Sequence, residues 1–146
     1  MSRLLPLSFR APAVWLVMLM AVVLPGEAQT QTQTPLSAEE FEAEVEGRTL
    51  TFATGGVEYG IEQFRPGRRV TWAFIGEECR EGRWFPAPDD QICFVYEDDP
   101  QTHCWVFWLA EDGLRGRFTS TPGGSEIVAV ERTSRPMFCP GPQVGA

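Results

Sequence analysis

Eight short runs of strand-forming residues follow one another between residues 48 and 132, and this rhythm constrains the fold more than any other feature. The runs are RTLTFAT (48–54), EYGIEQF (58–64), RVTWAFI (69–75), GRWFPA (82–87), QICFVYE (91–97), HCWVFWLA (103–110), LRGRFTS (114–120) and EIVAVER (126–132). Between them stand turn-forming segments such as GG, RPG, PDD, DDPQT, EDG and TPGGS. Short strands at this spacing, punctuated by Gly, Pro and Asp, predict an antiparallel meander. No gap holds the crossover helix that a parallel sheet requires. Eight such strands close most economically into an up-and-down barrel, because closure removes exposed edges. Leu50 and Phe52 share one face, as do Val70, Trp72 and Phe74. A barrel of this size is filled by its own side chains or holds one small ligand. An open β-sandwich is the alternative arrangement.

Ahead of the strands, LSAEEFEAEVEGR reads as a helix over 37–46. Ser37 followed by Glu40 is a capping box, and acidic residues crowd the first turn, where the helix dipole favours them. Phe41 and Val45 lie four apart on one face, and Gly47 is a suitable stop.

The chain begins with Arg3 and Arg10, followed by an uncharged, mostly apolar run from Ala11 to Leu24, then PGEA. A basic start, a short apolar stretch and a small-x-small site describe a secretory signal peptide cleaved after Ala28. The run is shorter than the roughly 20 residues that span a bilayer, and Pro12 lies within it. The expected organisation is a signal peptide at 1–28, a polar disordered leader at 29–36, one domain at 37–142 and a tail at 143–146. Localisation follows as periplasmic or secreted, with no membrane insertion after cleavage.

The whole chain carries 12 cations and 20 acids. Cleavage removes Arg3, Arg10 and Glu27, which leaves 10 arginines, no lysine and 19 acids. Nucleic acid and anionic membrane surfaces both need positive counter-charge, so neither is an expected partner.

All four cysteines, Cys79, Cys93, Cys104 and Cys139, lie in the expected domain. An even count in an oxidising compartment reads as two disulfides. A zinc site would place its ligands in close pairs, and no close pair is present. If the hairpin turns symmetrically about Asp98 and Asp99, as with the loop Glu97-Asp98-Asp99-Pro100, Cys93 faces Cys104 across neighbouring strands. Their Cα atoms would then be about 4.5–5.5 Å apart, within disulfide reach. Cys79 is left to join Cys139 and hold the Pro/Gly-rich end.

The stretch ICFVYEDDPQTHCWVFW also gathers the one histidine and two aspartates. His103 points away from Cys104 on a strand, so the two cannot form a thiol–imidazole pair. His103 therefore reads as a solvated residue beside a turn. Asp89–Asp90 and Asp98–Asp99 flank a strand that spans on the order of 20 Å, so the pairs cannot share one metal ion. Asp in such places reads as turn chemistry. No catalytic or cofactor motif occurs. The expectation is thus no enzyme, no catalytic residues, no metal and no cofactor. Trp105 and Phe107 share one face of their strand and Trp108 takes the other. Either the helix and the C-terminal segment cover the outer rings, which is the expected case, or Trp105, Phe107 and Trp108 include a binding surface.

The segment EGRTLTFATGGVEYGIEQFRPGRRVTWAFIGEECREGRWF, with QICFVYEDD and HCWVFW after it, resembles small exported proteins of Rhodobacter-like alphaproteobacteria that carry no assigned function. The likeness covers roughly residues 36–142. The order G-R-T-L, G-R-W and two cysteine-bearing strands is similar to periplasmic domains of the DUF995 type, and to small β-barrel inhibitors of lysozyme or secreted proteases. The resemblance implies a barrel with a disulfide hairpin. It carries over no inhibitory residues.

The sequence therefore predicts an all-β, eight-stranded antiparallel barrel (calycin-like) with one short N-terminal helix. The expected role is an exported, non-enzymatic binding module of the cell envelope, taking a small apolar ligand or a protein through an aromatic surface. The alternative is an inhibitor of a secreted hydrolase.

Overall fold

The structure, a computed structural model, describes residues 33–139. Helix α1 (Ala38–Val45) is followed by β1 (Thr49–Thr54), β2 (Val57–Arg65), β3 (Arg69–Phe74), β4 (Arg80–Ala87), β5 (Gln91–Tyr96), β6 (Asp99–Ala110), β7 (Gly113–Phe118) and β8 (Glu126–Thr133). Each strand pairs antiparallel with the next, and β8 returns to β1. The barrel is closed, as the strand rhythm predicts, and the open sandwich is excluded. Among the described residues no helix is long and apolar enough to cross a membrane. The expected signal peptide, its cleavage point and the 143–146 tail lie outside the described residues.

Helix α1 begins at its capping box. The Ser37 side chain accepts from the Glu40 N–H at 3.3 Å, and the Glu40 carboxylate accepts from the Ser37 N–H at 2.8 Å. These bonds satisfy two donors that a helix start leaves orphaned. Gly47 then reverses the chain at a φ of 74°, a conformation that glycine adopts without a Cβ clash.

The helix does not lie on the outer face of the barrel, where the sequence pattern placed it as a cover. It closes one end. Phe41 is fully buried against the interior rings of Phe64, Trp84 and Phe107, at centroid distances of 5.8, 5.3 and 4.6 Å. Val45, also buried, joins the same core with Leu50, Val70, Ile92 and Phe94. The physical reason is the width of the barrel: an eight-stranded interior must be packed by something, and Phe41 supplies a large ring from outside the sheet. At the end of the expected leader the Leu36 N–H donates to the Phe107 carbonyl of β6 at 2.8 Å, and Gln33 Oε1 accepts from the Arg117 guanidinium of β7.

Both disulfides form as expected, Cys93–Cys104 and Cys79–Cys139. Cys93 stands directly opposite Cys104, with Cα atoms 4.0 Å apart. The hairpin reaches this register by a different route from the symmetric four-residue loop. Tyr96 already pairs with Asp99, so the turn is Glu97–Asp98 and β6 starts at Asp99. Farther along, Phe94 pairs with His103. Between those pairs Val95 on β5 faces Pro100, Gln101 and Thr102 on β6, and this bulge restores the cysteine alignment. Pro100 suits a bulge because it has no N–H to give to a ladder. The second disulfide ties the segment after β8 to the loop before β4. On the way, the Arg135 carbonyl accepts from the Thr49 hydroxyl at 2.8 Å and the Met137 N–H donates to Gln63 Oε1 at 3.2 Å.

If Phe41 is the packing element of the closed end, Phe41→Ala leaves a cavity and costs about 3–5 kcal/mol of stability. Denaturant unfolding of the oxidised protein measures this. A loss under about 1 kcal/mol would show that α1 is peripheral to the core.

Candidate functional site

Opposite the helix the barrel is open. A cavity there gives about 90 Å³ to the centres of water-sized molecules, where one water needs roughly 10–15 Å³. Its walls are mostly aromatic: Tyr59, Trp72, Phe74, Phe94, Trp105 and Phe107. A second hollow toward β7 and β8 shares Tyr59, His103, Trp105 and Ile127 with the first.

Two acids line this cavity, Glu62 deep in the wall and Asp99 at the mouth. Glu62 on β2 is 4% exposed. Its Oε1 accepts from the Tyr96 hydroxyl at 2.9 Å, and among the described residues it has no cationic partner. Removing a carboxylate from water without a counter-ion penalises the charged form. Burial accordingly raises the Glu62 pKa to about 8, against the opposing pull of the Tyr96 hydrogen bond. At neutral pH the group is mostly a neutral carboxylic acid. The phenols respond to the same surroundings: burial, followed by the proximity of Glu62, raises both Tyr59 and Tyr96.

Backbone details aim these groups inward. Simple alternation along EYGIEQF puts Tyr59 and Glu62 on opposite faces. The pairing of β1 with β2, however, passes from Phe52–Gly60 to Ala53–Glu58 and leaves Tyr59 without a partner. Such a bulge re-aims side chains, and both Tyr59 and Glu62 line the cavity. Two glycines provide the space for rings. A Cβ on Gly60 would lie 2.1 Å from the Trp72 indole, and one on Gly82 would lie 2.6 Å from the Tyr96 ring. Trp72 and Tyr96 can therefore lie flat over strand backbone. That placement is closed to them if either glycine gains a side chain.

The mouth carries charge. Asp99 Oδ1 accepts from the Gln101 N–H at 2.9 Å, and Asp99 Oδ2 meets His103 Nε2 at 2.8 Å. These contacts, the Gln101 bond foremost, lower the Asp99 pKa. Arg80 also lines the cavity, but its guanidinium turns to Asp98 at 3.4 Å and lies 5.5 Å over the Phe74 ring.

The aromatic residues singled out in the sequence separate in the structure. Trp105 and Phe107 line the cavity. Trp108 faces the other way, is 4% exposed and has the Arg117 guanidinium 5.1 Å over its ring. Asp89 and Asp90 are turn residues, with φ of 61° and 53° between β4 and β5. His103 departs from expectation. It is not a solvated bystander: strand alternation sets it on the inner face with Trp105 and Phe107, half-buried beside Tyr96 and Phe118. Nothing in the sequence pattern singled out Glu62. The available signal was Gly60, since an isolated glycine within a strand marks a bulge or a close approach.

Because the folded chain keeps the Glu62 proton to higher pH than the unfolded chain does, this group stabilises the fold most below its ordinary value of 4.5. The stabilisation falls as pH rises toward about 8 and levels off beyond it. Denaturant midpoints at pH 5 and pH 8.5 should therefore differ, with a loss on the order of a few kcal/mol at the higher pH. Glu62→Gln should flatten that dependence and be more stable than the parent at pH 8.5. A parent midpoint that does not fall between the two pH values contradicts the burial argument. No protein-family model, no curated protein and no solved structure matches this chain.

Proposed function

We propose that this protein is an exported, non-enzymatic binding module that takes one small, largely apolar ligand into the open end of its barrel. The observation that carries the reading is the cavity: mostly aromatic walls around a buried polar anchor, the Glu62–Tyr96 pair, with Arg80, Asp99 and His103 at the mouth. Small-molecule sites generally have this make-up, apolar surface for affinity and few placed polar groups for orientation. The closed end supports it as well. Phe41 packs one half of the interior, so the unfilled half is confined to the mouth. At about 90 Å³ the cavity is well below the roughly 300–1,000 Å³ of drug-sized sites, which points to compact ligands rather than lipids or drug-sized molecules. Export rests on the N-terminal signal-like segment, and the two disulfides are compatible with an oxidising compartment.

Titration with toluene and benzyl alcohol, followed by amide and indole N–H shifts in NMR spectra, tests the reading. The largest shifts are expected at Trp72, Phe94, Trp105 and Phe107. Ile127→Trp, which fills the cavity from β8, should abolish them while the protein stays folded. Shifts confined to the outer face, or surviving in that variant, would contradict the reading.

A further inference from the structure

We infer that the ligand is a small organic cation, an amine on a compact apolar or aromatic body, whose ammonium group pairs with Glu62. This inference rests on the proposed binding site and names the chemistry that completes it.

The argument begins with an incomplete ion site. Glu62 is nine-tenths buried, lines the cavity and spends one oxygen on Tyr96. Its Oε2 makes no hydrogen bond among the described residues, yet it is not a sealed, orphaned atom. An oxygen with no protein partner, on a side chain that lines the cavity, is available to an incoming donor. The protein's own cation nearest the mouth, Arg80, is held by Asp98 and the Phe74 ring.

The walls beside Glu62 also suit a cation. Trp72 is its direct cross-strand neighbour. Tyr59, Trp72 and Phe74 form a triangle with centroids 5.4 Å apart on every side. Ring faces are negative, and clusters of them beside a carboxylate hold ammonium groups. Arg80 over Phe74 shows that this wall already accepts one cation. The other titratable groups lining the site are Arg80, Asp99, His103, Tyr59 and Tyr96, and Asp98 in the adjoining turn reaches Arg80. Arg80 is offset by Asp98, and both Asp99 oxygens have partners, the Gln101 N–H and His103, so of the two acids lining the cavity Glu62 is the one that keeps an oxygen free among the described residues. An acidic ligand would instead bring a second carboxylate beside Glu62 and need both groups to share protons.

The binding step moves one proton. Below its titration point Glu62 is a neutral acid, so pairing with an ammonium ion releases its proton to solvent. Amine affinity must then rise with pH until Glu62 is ionised in the free protein.

Benzylamine, benzyl alcohol and benzoate share one aromatic body and differ in the head group. Calorimetric or NMR titration of the full oxidised protein with each, at pH 6 and pH 8, tests the inference. Benzylamine stays protonated throughout that range. Its affinity should rise about 50-fold from pH 6 to pH 8, the growth in the ionised fraction of a group that titrates near 8. At pH 8 it should exceed the other two. Glu62→Gln should weaken benzylamine at least tenfold at pH 8 and remove the difference in its affinity between pH 6 and pH 8. If that variant does not fold, the pH dependence in the parent protein decides alone. A flat benzylamine affinity, or tighter binding of benzyl alcohol or benzoate at pH 8, overturns the inference and leaves the binding site standing. Failure of all three to bind overturns both.

Discussion

The insertion of Phe41 into one end of the barrel is the interaction on which the rest of this structure depends. A closed sheet of eight strands encloses a space that its own inward side chains can only just fill. Phe41 arrives from outside the sheet and packs against Phe64, Trp84 and Phe107. One half of the interior then resembles an ordinary core, tightly packed with apolar rings. The other half keeps a cavity and can include a buried acid without exposing the core to water. The helix, which could be read as an appendage, therefore sets where a site can be.

At the open end, loss of water around Glu62 governs the chemistry. This acid lacks a counter-ion among the described residues, and one tyrosine hydroxyl does not replace a hydration shell. Such a group is a liability for stability alone, since an apolar residue of similar volume would avoid the penalty. Its position against three rings and an open cavity gives that liability a use as a polar anchor. Gly60 and Gly82 belong to the same design. Each leaves out a side chain, so that Trp72 and Tyr96 can lie over the strand and line the cavity around the acid.

Much of the fold was legible because it is governed by local rules. Period-two runs and turn residues located eight strands, and the box Ser37–Glu40 located the helix start. The pairing of Cys93 with Cys104 followed from strand register. The turn behind it was different, because a bulge at Pro100–Thr102 compensates for a tighter hairpin. Bulges also explain what was not legible. The unpaired Tyr59 re-aims β2, so that Tyr59 and Glu62 line one cavity. A bulge arises from the pairing of two strands, so alternation along one strand does not reveal it. Trp105 and Phe107 were singled out as an aromatic surface, and they line the interior with Glu62, which no motif marks.

The central claim is that a carboxyl group inside this barrel remains protonated at neutral pH and faces an open cavity. The most direct measurement is a site-specific titration of the Glu62 side-chain carboxyl carbon by NMR in the oxidised, ligand-free protein. The account predicts a midpoint at about 8, with the Tyr96 ring resonances changing in the same pH range. A midpoint near the ordinary value of 4.5 would mean that Glu62 is hydrated or paired, and would contradict the account.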